Sequence, residues 1–280
     1  MLLESKQIKQ YHRKNDFVNL SLAIDKYLVP EQLERKQNAE ISTPFELRKE
    51  MLDKIPDEFW SEPRKVFEPC CGKGGFVIDI VDRFMKGIKM KDKNEKYKTI
   101  VQDCLYFSDI NPTNIFITKL LLDPFNKYNL NYNLGNTLEL DIKKVWDLEG
   151  FDLIVSNPPY QANDKSLSNT IWNKFVLLIF NITNKNGYNC LVHPPGWRNV
   201  DGRYKNIQKE IFKRNLIYLE IHSIKDGIKT FRAGTRYDWY LLQNTEEYKT
   251  TEIVFQDGEK LNINVCFSFY KNGKKPILTY

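Results

Sequence analysis

Residues 65–76 read Lys65-Val66-Phe67-Glu68-Pro69-Cys70-Cys71-Gly72-Lys73-Gly74-Gly75-Phe76, and this stretch decides the fold. A short apolar run, an acidic residue, a glycine turn and then an apolar-periodic segment make a strand, a turn and a helix. The strand is predicted over 65–69 and the helix over about 76–85. Glycines let a backbone approach a ligand closely and adopt positive φ. The turn is not a phosphate-binding P-loop, because Lys73 is followed by Gly74 where that loop needs Ser or Thr. It also lacks G-x-G-x-x-G spacing. Glu68 would repel a pyrophosphate but suits the ammonium of an amino-acid moiety.

The same alternation repeats outward from this unit. Strands are predicted over 105–108, ending at Asp109, then over 132–134, 151–155, 188–193, 217–221 and 239–242. Helices are predicted from Asn111-Pro112 to about Leu122 and from about Thr170 to Ile182. Strands separated by helical segments imply an α/β fold, a largely parallel doubly wound sheet with helices on both faces. Residues 1–40 carry apolar residues at loosely helical spacing (Phe17, Leu20, Ala23, Ile24, Tyr27, Leu28) and read as a packed helix or an arm. A further helix starts at Thr43-Pro44-Phe45-Glu46. Thr43 is the expected N-cap, with Pro44 in the first turn and Glu46 closing a capping box, and Pro56 stops it beyond about Lys54. The lysine-rich stretch 87–98 reads as a solvated loop. Residues 251–269 have strand composition and read as a small β extension. The expected division is an N-terminal helical segment at 1–40, a catalytic domain at 41–245 and the extension at 246–280.

Composition narrows the class. The 280 residues are 41% hydrophobic and 28% charged, ordinary for a globular chain and unlike a disordered or collagen-like one. The net charge of +6 permits a polyanionic partner without demanding one. Five cysteines without paired spacing argue against a disulfide framework and for a reducing compartment, and the absence of C-x-x-C argues against zinc. The longest apolar candidate, 175–182, is broken by Asn181 and is too short for a membrane span. The N-terminus turns charged at once, so no signal peptide is expected. The expected location is cytoplasmic, or the host-cell interior if the source is viral.

In doubly wound sheets ligands sit at the carboxyl ends of the strands. Beside the glycine turn, two such ends stand out. Asp109 ends the second strand, where a carboxylate can take both hydroxyls of a ribose; it can also cap the helix that follows. Ser156-Asn157-Pro158-Pro159-Tyr160 follows the fourth long strand. Two prolines fix the backbone and remove two N–H donors, leaving carbonyls outward. Asn157 adds a side-chain carbonyl and Tyr160 a flat apolar face. Acceptors beside a stacking plate suit a planar substrate bearing an NH2 group.

These residues resemble the S-adenosylmethionine-dependent adenine-N6 DNA methyltransferases, of the amino-methyltransferase group with the Asn-Pro-Pro-Tyr signature. The likeness covers about 42–244, and the motif order resembles the family's gamma arrangement. It implies a Rossmann-like class I methyltransferase sheet, S-adenosylmethionine as cofactor, DNA as partner and a restriction-modification setting. It places Asn157, Pro158, Pro159 and Tyr160 at the target amine, with the base flipped out of the duplex onto Tyr160. It places Thr43 and Pro44 near the methionine part of the cofactor, and Glu68, Cys70, Gly72, Gly74 and Phe76 along its amino-acid and sugar side. Asp109 would bind the ribose and Ile110 the adenine ring, with Asn136 near the adenine amine. Phe231 is the expected second aromatic of the base sandwich, with Trp197 and Tyr237 as competitors. A Pro-Cys nucleophile, as in carbon-5 cytosine methyltransferases, would belong after the fourth strand; Cys70 is therefore read as a small residue lining the turn. His193 and His222 read as packed histidines.

Trp197, Arg198, Phe231, Arg232 and Arg236 are the expected nucleic-acid contacts, basic residues interleaved with aromatics on loops. Lys205–Arg214 reads either as phosphate contacts or as a solvated helix face. About 36 residues follow the last core strand, too few for the recognition domain usual in the gamma arrangement. Specificity is therefore expected from loops at 161–169 and 196–236, from the N-terminal segment, from a homodimer partner or from a separate specificity subunit. The same catalytic motif also resembles those of RNA adenine and protein-glutamine methyltransferases. An inactive, methyltransferase-like nucleic-acid-binding subunit is the alternative from another class.

Overall fold

The computed structural model describes residues 3–28, 41–161, 170–199 and 202–263. Its helices are α1 (Ser5–Lys14), α2 (Phe17–Tyr27), α3 (Phe45–Asp53), α4 (Gly75–Gly87), α5 (Lys93–Thr99), α6 (Pro112–Leu122), α7 (Ile142–Trp146), α8 (Trp172–Asn181), α9 (Lys205–Phe212) and α10 (Ile224–Phe231). The strands are β1 (Val66–Glu68), β2 (Leu105–Asp109), β3 (Asn131–Leu134), β4 (Phe151–Ser156), β5 (Thr183–His193), β6 (Asn215–His222), β7 (Tyr237–Gln243), β8 (Thr251–Val254) and β9 (Lys260–Ile263).

Among the described residues these strands form one nine-stranded sheet in the order β3-β2-β1-β4-β5-β7-β6-β8-β9. The first five are parallel to one another. β7 runs antiparallel between β5 and β6. The expected β extension, β8 and β9, is a hairpin that continues the sheet beyond β6, with β8 parallel to it.

Strand side chains alternate between two cores, as the period of two requires. Val66, Phe107, Leu153, Val155, Cys190 and Trp239 face a core closed by α1–α4 and α6. Phe67, Tyr106, Ile154, Leu191 and Tyr240 face another, closed by α7, α8 and α9. Strands buried on both faces read as continuous apolar runs, which is why the sequence marks them so clearly. Truncating Phe67, wholly buried and stacked on Phe151 at 4.7 Å, is expected to cost about 3–5 kcal/mol. Urea unfolding of Phe67→Ala measures it, and a cost under about 1 kcal/mol would contradict this packing.

Two local expectations are corrected. Residues 87–98 are not all loop: Asp92 caps α5 through the Asn94 and Glu95 amides, and Tyr97 is buried against Phe17, with its hydroxyl donating to the Leu122 carbonyl at 2.6 Å. The helix before the glycine turn runs where expected, but its capping box does not form. Pro44 is the N-cap residue of α3 and gives no side-chain cap. The Phe45 amide instead donates to Asp25 of α2, and the Thr43 hydroxyl is engaged elsewhere.

The N-terminal segment forms the helix pair α1 and α2. Asn15 turns the chain between them in the left-handed conformation. His12 Nε2 donates to the Leu121 carbonyl at 2.7 Å, fastening the pair to the end of α6.

Candidate active site

The carboxyl ends of β1, β2 and β4 meet at the point where strand order reverses, with β1 between β2 and β4. Chain leaving β1 and chain leaving β4 diverge there, which opens a crevice.

The glycine turn sits on one side of it. Gly72 (φ 49°) and Gly74 (φ 80°) take backbone that L side chains avoid. A Cβ on Gly74 would also meet the Thr118 hydroxyl at 3.0 Å. The Thr118 hydroxyl donates to the Gly72 carbonyl at 3.2 Å, and the Cys71 amide to the Ser108 carbonyl at 2.9 Å. These bonds tie the turn to β2 and α6. Thr137 adds a tie from the loop after β3, its hydroxyl donating to the Pro69 carbonyl at 2.7 Å.

Asp109 is held by the same web. One carboxylate oxygen accepts the Gly72 amide at 2.9 Å and the other the Asn111 amide at 2.8 Å. The Asn114 side chain and the Ile110 amide add to this bracing. Burial raises its carboxyl above the ordinary aspartate range, and these backbone bonds oppose the rise. Beside it Ile110, a large apolar side chain, is 63% exposed at the crevice.

Glu68 is the least satisfied group of the site. Its carboxylate is wholly enclosed, and neither oxygen makes a well-formed hydrogen bond; the Ser156 hydroxyl and the Cys70 amide lie close enough to oppose the effect of burial. Burial, and the neighbouring Asp109 charge, push its carboxyl well above the ordinary glutamate range. A buried carboxylate is costly, by several kcal/mol for the bare ion, so a cation brought against it would be held strongly.

On the other side lies the Asn157 loop. Asn157 Nδ2 donates to the Thr43 hydroxyl at 3.1 Å and approaches the Ile41 carbonyl at 3.5 Å. A carbonyl can only accept, so this neighbour fixes which end of the amide is NH2. Asn157 Oδ1 is left buried with no hydrogen bond. Pro158 is buried, and Pro159 and Tyr160 are half-buried. The Tyr160 hydroxyl is enclosed without a partner, and burial raises its phenol, with Tyr237 and Asp238 adding to the rise.

The sequence reading missed Asp238. This residue is the second of β7, pairs with His193 across the sheet and is wholly buried. Arg198 Nε bonds its carboxylate at 2.8 Å. Burial pushes the carboxyl up to about 6, against the pull of Arg198. A charged residue opening the apolar run Trp239-Tyr240-Leu241-Leu242 was the one available signal.

Several expected contacts lie elsewhere than foreseen. Trp197 and Arg198 are buried, 0% and 8% exposed, so they support the site from beneath and offer no outer surface. Phe231 and Tyr237 pack edge to face at 4.8 Å and are also buried, so none of the three aromatics stands free opposite Tyr160. Phe76 is 5% exposed and belongs to the core under the glycine turn. Pro44 is the N-cap residue of α3, next to Thr43. Asn136 is exposed and caps the turn after β3, bonding Glu139 at 2.7 Å. Cys70 is a half-buried free thiol at the turn, raised by burial rather than activated as a nucleophile. Arg232 and Arg236 are exposed on the β6–β7 connection, at the site edge of the sheet. In α9, Ile207 and Ile211 are buried, while Glu210 pairs with Lys213 and Arg214, as on a solvated helix face. The 162–169 loop lies outside the described residues, as do 29–40 and 264–280.

The two histidines are packed, as expected. His193 stacks on Trp172 at 4.5 Å and bonds the Tyr240 hydroxyl at 3.0 Å. Burial lowers it to about 4, so it stays neutral. His222 stacks on Tyr237 at 4.2 Å.

Comparison with known proteins adds to this geometry. A family model described as N-6 DNA methylase matches residues 27–263. Among curated proteins, none matches by sequence. The fold is similar to that of a protein from Vibrio vulnificus, named as the modification subunit of a type I restriction enzyme. The TM-score is 0.61 at 15% identity, over 91% of this chain and 53% of that one. A type I restriction-modification methyltransferase subunit from Streptococcus thermophilus gives 0.56 at 14% identity, over 77% and 47%. A Listeria monocytogenes protein, named as a class I S-adenosylmethionine-dependent methyltransferase, gives 0.61 at 12% identity, over 91% and 74%. The chain thus spans about half the length of the two restriction-modification subunits. The sheet is that of the class I methyltransferases.

Proposed function

That the chain belongs to the N-6 DNA methylase family is the premise from which we propose that it methylates the N6 amine of adenine in DNA, with S-adenosylmethionine as donor. The observation that carries this reading is Asn157: its amide is anchored through Nδ2, and its Oδ1 stays unpaired at the carboxyl end of β4.

The residues present fit the cofactor. Glu68 offers a buried carboxylate to an ammonium, and Asp109 two braced oxygens to the ribose hydroxyls. Ile110 offers an exposed apolar side chain to an adenine ring. When bound, S-adenosylmethionine supplies an electrophilic methyl group on a sulfonium.

The chain's own part is to prepare the amine. An exocyclic amine has its lone pair delocalised into the ring and is a poor nucleophile. Asn157 Oδ1 and the Pro158 carbonyl would accept its two N–H bonds, favouring a more tetrahedral nitrogen with a localised lone pair. Such bonds strengthen as charge develops on the nitrogen, so they act chiefly in the transition state. The nitrogen so prepared would take up the methyl group that the sulfonium supplies, and the amine's surplus proton would leave to solvent. Much of the rate comes from positioning. No covalent enzyme adduct is needed.

A stacked base cannot reach a crevice of this kind, so the adenine is flipped onto Tyr160. Tyr160→Ala is expected to weaken base capture by about 1–3 kcal/mol, whereas Tyr160→Phe stays near wild type because the hydroxyl has no partner. Fluorescence of 2-aminopurine at the target position reads the flip; equal losses in both variants would contradict stacking.

We take 41–245 as the catalytic unit and Arg232 and Arg236 as phosphate contacts. Either a second copy or a separate subunit completes the recognition of sequence. Among the described residues no helix is long and apolar enough to cross a membrane, and we place the protein in the cytoplasm. The decisive assay uses tritiated S-adenosylmethionine with duplex DNA, single-stranded DNA, RNA and protein extract. N6-methyladenine in digested DNA is expected. Label confined to RNA or to protein glutamine would overturn the substrate.

A further inference from the structure

Arg48 is 2% exposed, and its bonds join three other parts of the chain. Its Nε bonds Asp79 of α4 at 2.6 Å. Nη1 bonds Asp25 of α2 at 2.8 Å and also donates to the Thr43 carbonyl. Nη2 donates to Ser21 of α2 at 2.7 Å. Asp25 uses its second oxygen to accept the Phe45 amide. Thr43 is therefore held on both sides, by its own carbonyl and through the amide two residues on. Its hydroxyl is the group that accepts from Asn157 Nδ2 at 3.1 Å.

The guanidinium also lies against the glycine turn. A Cβ on Gly75 would come within 2.8 Å of Arg48 Cζ. One buried cation thus touches the start of α4, where the turn ends, and the segment that orients the Asn157 amide.

We propose that Arg48, braced by Asp25 and Asp79, is a positioning residue. It sets Thr43 so that the Thr43 hydroxyl holds Asn157 with its carbonyl edge turned to the target amine. The proposal rests on the reading of Asn157 as an acceptor, and it gives the N-terminal helix α2 a part in the site. A guanidinium is suited to this role because its planar fork fixes several acceptors at set angles, which a lysine ammonium does not.

The test combines Asp25→Asn, Thr43→Val, Thr43→Ser and the double variant Asp25→Asn/Thr43→Val. Asp25 is chosen over Arg48 because it is 28% exposed and its loss leaves the Arg48–Asp79 pair. Thermal melting checks that each variant folds. Thr43→Val is expected to lower kcat about tenfold, the value of one hydrogen bond, and Thr43→Ser to restore it. Asp25→Asn is expected to lower kcat about threefold to tenfold, with the cofactor Kd changed by less than about twofold. Because both act through Asn157, the double variant should fall no further than Thr43→Val alone. Additive losses would overturn the relay, as would a kcat loss matched by an equal loss of cofactor affinity.

A second readout needs no methyl transfer. The side-chain NH2 resonances of Asn157, assigned by their absence in Asn157→Ala, should shift in both Thr43→Val and Asp25→Asn. Unchanged resonances in Asp25→Asn would overturn the proposal. If the wild-type chain methylates no DNA, the substrate reading fails while this measurement still decides the relay.

Discussion

Asn157→Ala is expected to cut methyl transfer by about a hundredfold to a thousandfold, the scale seen when one transition-state hydrogen-bonding group is removed. Cofactor binding should stay within about threefold, because Asn157 belongs to the β4 loop and no bond links it to the glycine turn or Asp109. Asn157→Asp is the informative partner. A carboxylate keeps an acceptor for the amine, and the Thr43 hydroxyl can rotate to donate to it. The Ile41 carbonyl, however, would then face an oxygen where it now faces an NH2. A partial loss, smaller than that of the alanine variant, is expected. Single-turnover kinetics with labelled S-adenosylmethionine measure both; alanine turnover at the wild-type level would remove Asn157 from the mechanism.

Glu68→Gln is expected to move binding and stability in opposite directions. Replacing a charged partner of the ammonium by a neutral amide should weaken S-adenosylmethionine about tenfold to a hundredfold. The free protein should gain, because an enclosed carboxylate with no well-formed hydrogen bond is removed. The gain should appear as a rise of about 2–4 °C in Tm. Its pH dependence fixes the cause. The folded carboxyl is raised above its unfolded value of 4.5, so the folded state holds the proton longer than the unfolded one. Stability is then fully present below pH 4.5 and is lost as pH rises through the folded value. The glutamine variant should lack that slope, so its advantage grows with pH. Cofactor binding by wild type should release a proton wherever the free carboxyl still holds one, and the glutamine variant should release none. Calorimetry in buffers of different ionisation enthalpy, with melting curves at pH 5 and 8, checks both; equal Tm at pH 8 would contradict the assignment.

What the sequence made legible was what its neighbours in the chain determine. β1, β2 and β4–β7 are apolar runs bounded by turns, and the turn at Gly72–Gly75 and the ends at Asp109 and Asn157 fall where read. What escaped depends on distant partners. Thr43 offers a capping hydroxyl to its own helix, but Asn157, 114 residues later, takes it. The 93–99 helix is secured by Tyr97 against Phe17 and by the Leu122 carbonyl, neither visible in a lysine-rich window. Trp197 and Arg198 follow β5 in a stretch that reads as an exposed loop. Asp238 draws the arginine inward across 40 residues. Burial of a charge is set by its counter-ion, and a local pattern cannot name that counter-ion.

The order in which the sheet closes has a kinetic consequence. β1 lies inside it between β2 and β4, yet β4 reaches it only across a long connection: the Lys65 amide meets the Asp152 carboxylate 87 residues away. During synthesis β1, β2 and β3 can pair while β4 is still unmade, leaving one side of β1 open. The half of the crevice built from Glu68 and Asp109 can therefore assemble before the half built from Asn157 exists. Closing such long loops is slow, so refolding is expected on the millisecond-to-second scale or beyond. S-adenosylmethionine, captured by the early half, would then act as a template on which the late half docks, and refolding should quicken in its presence.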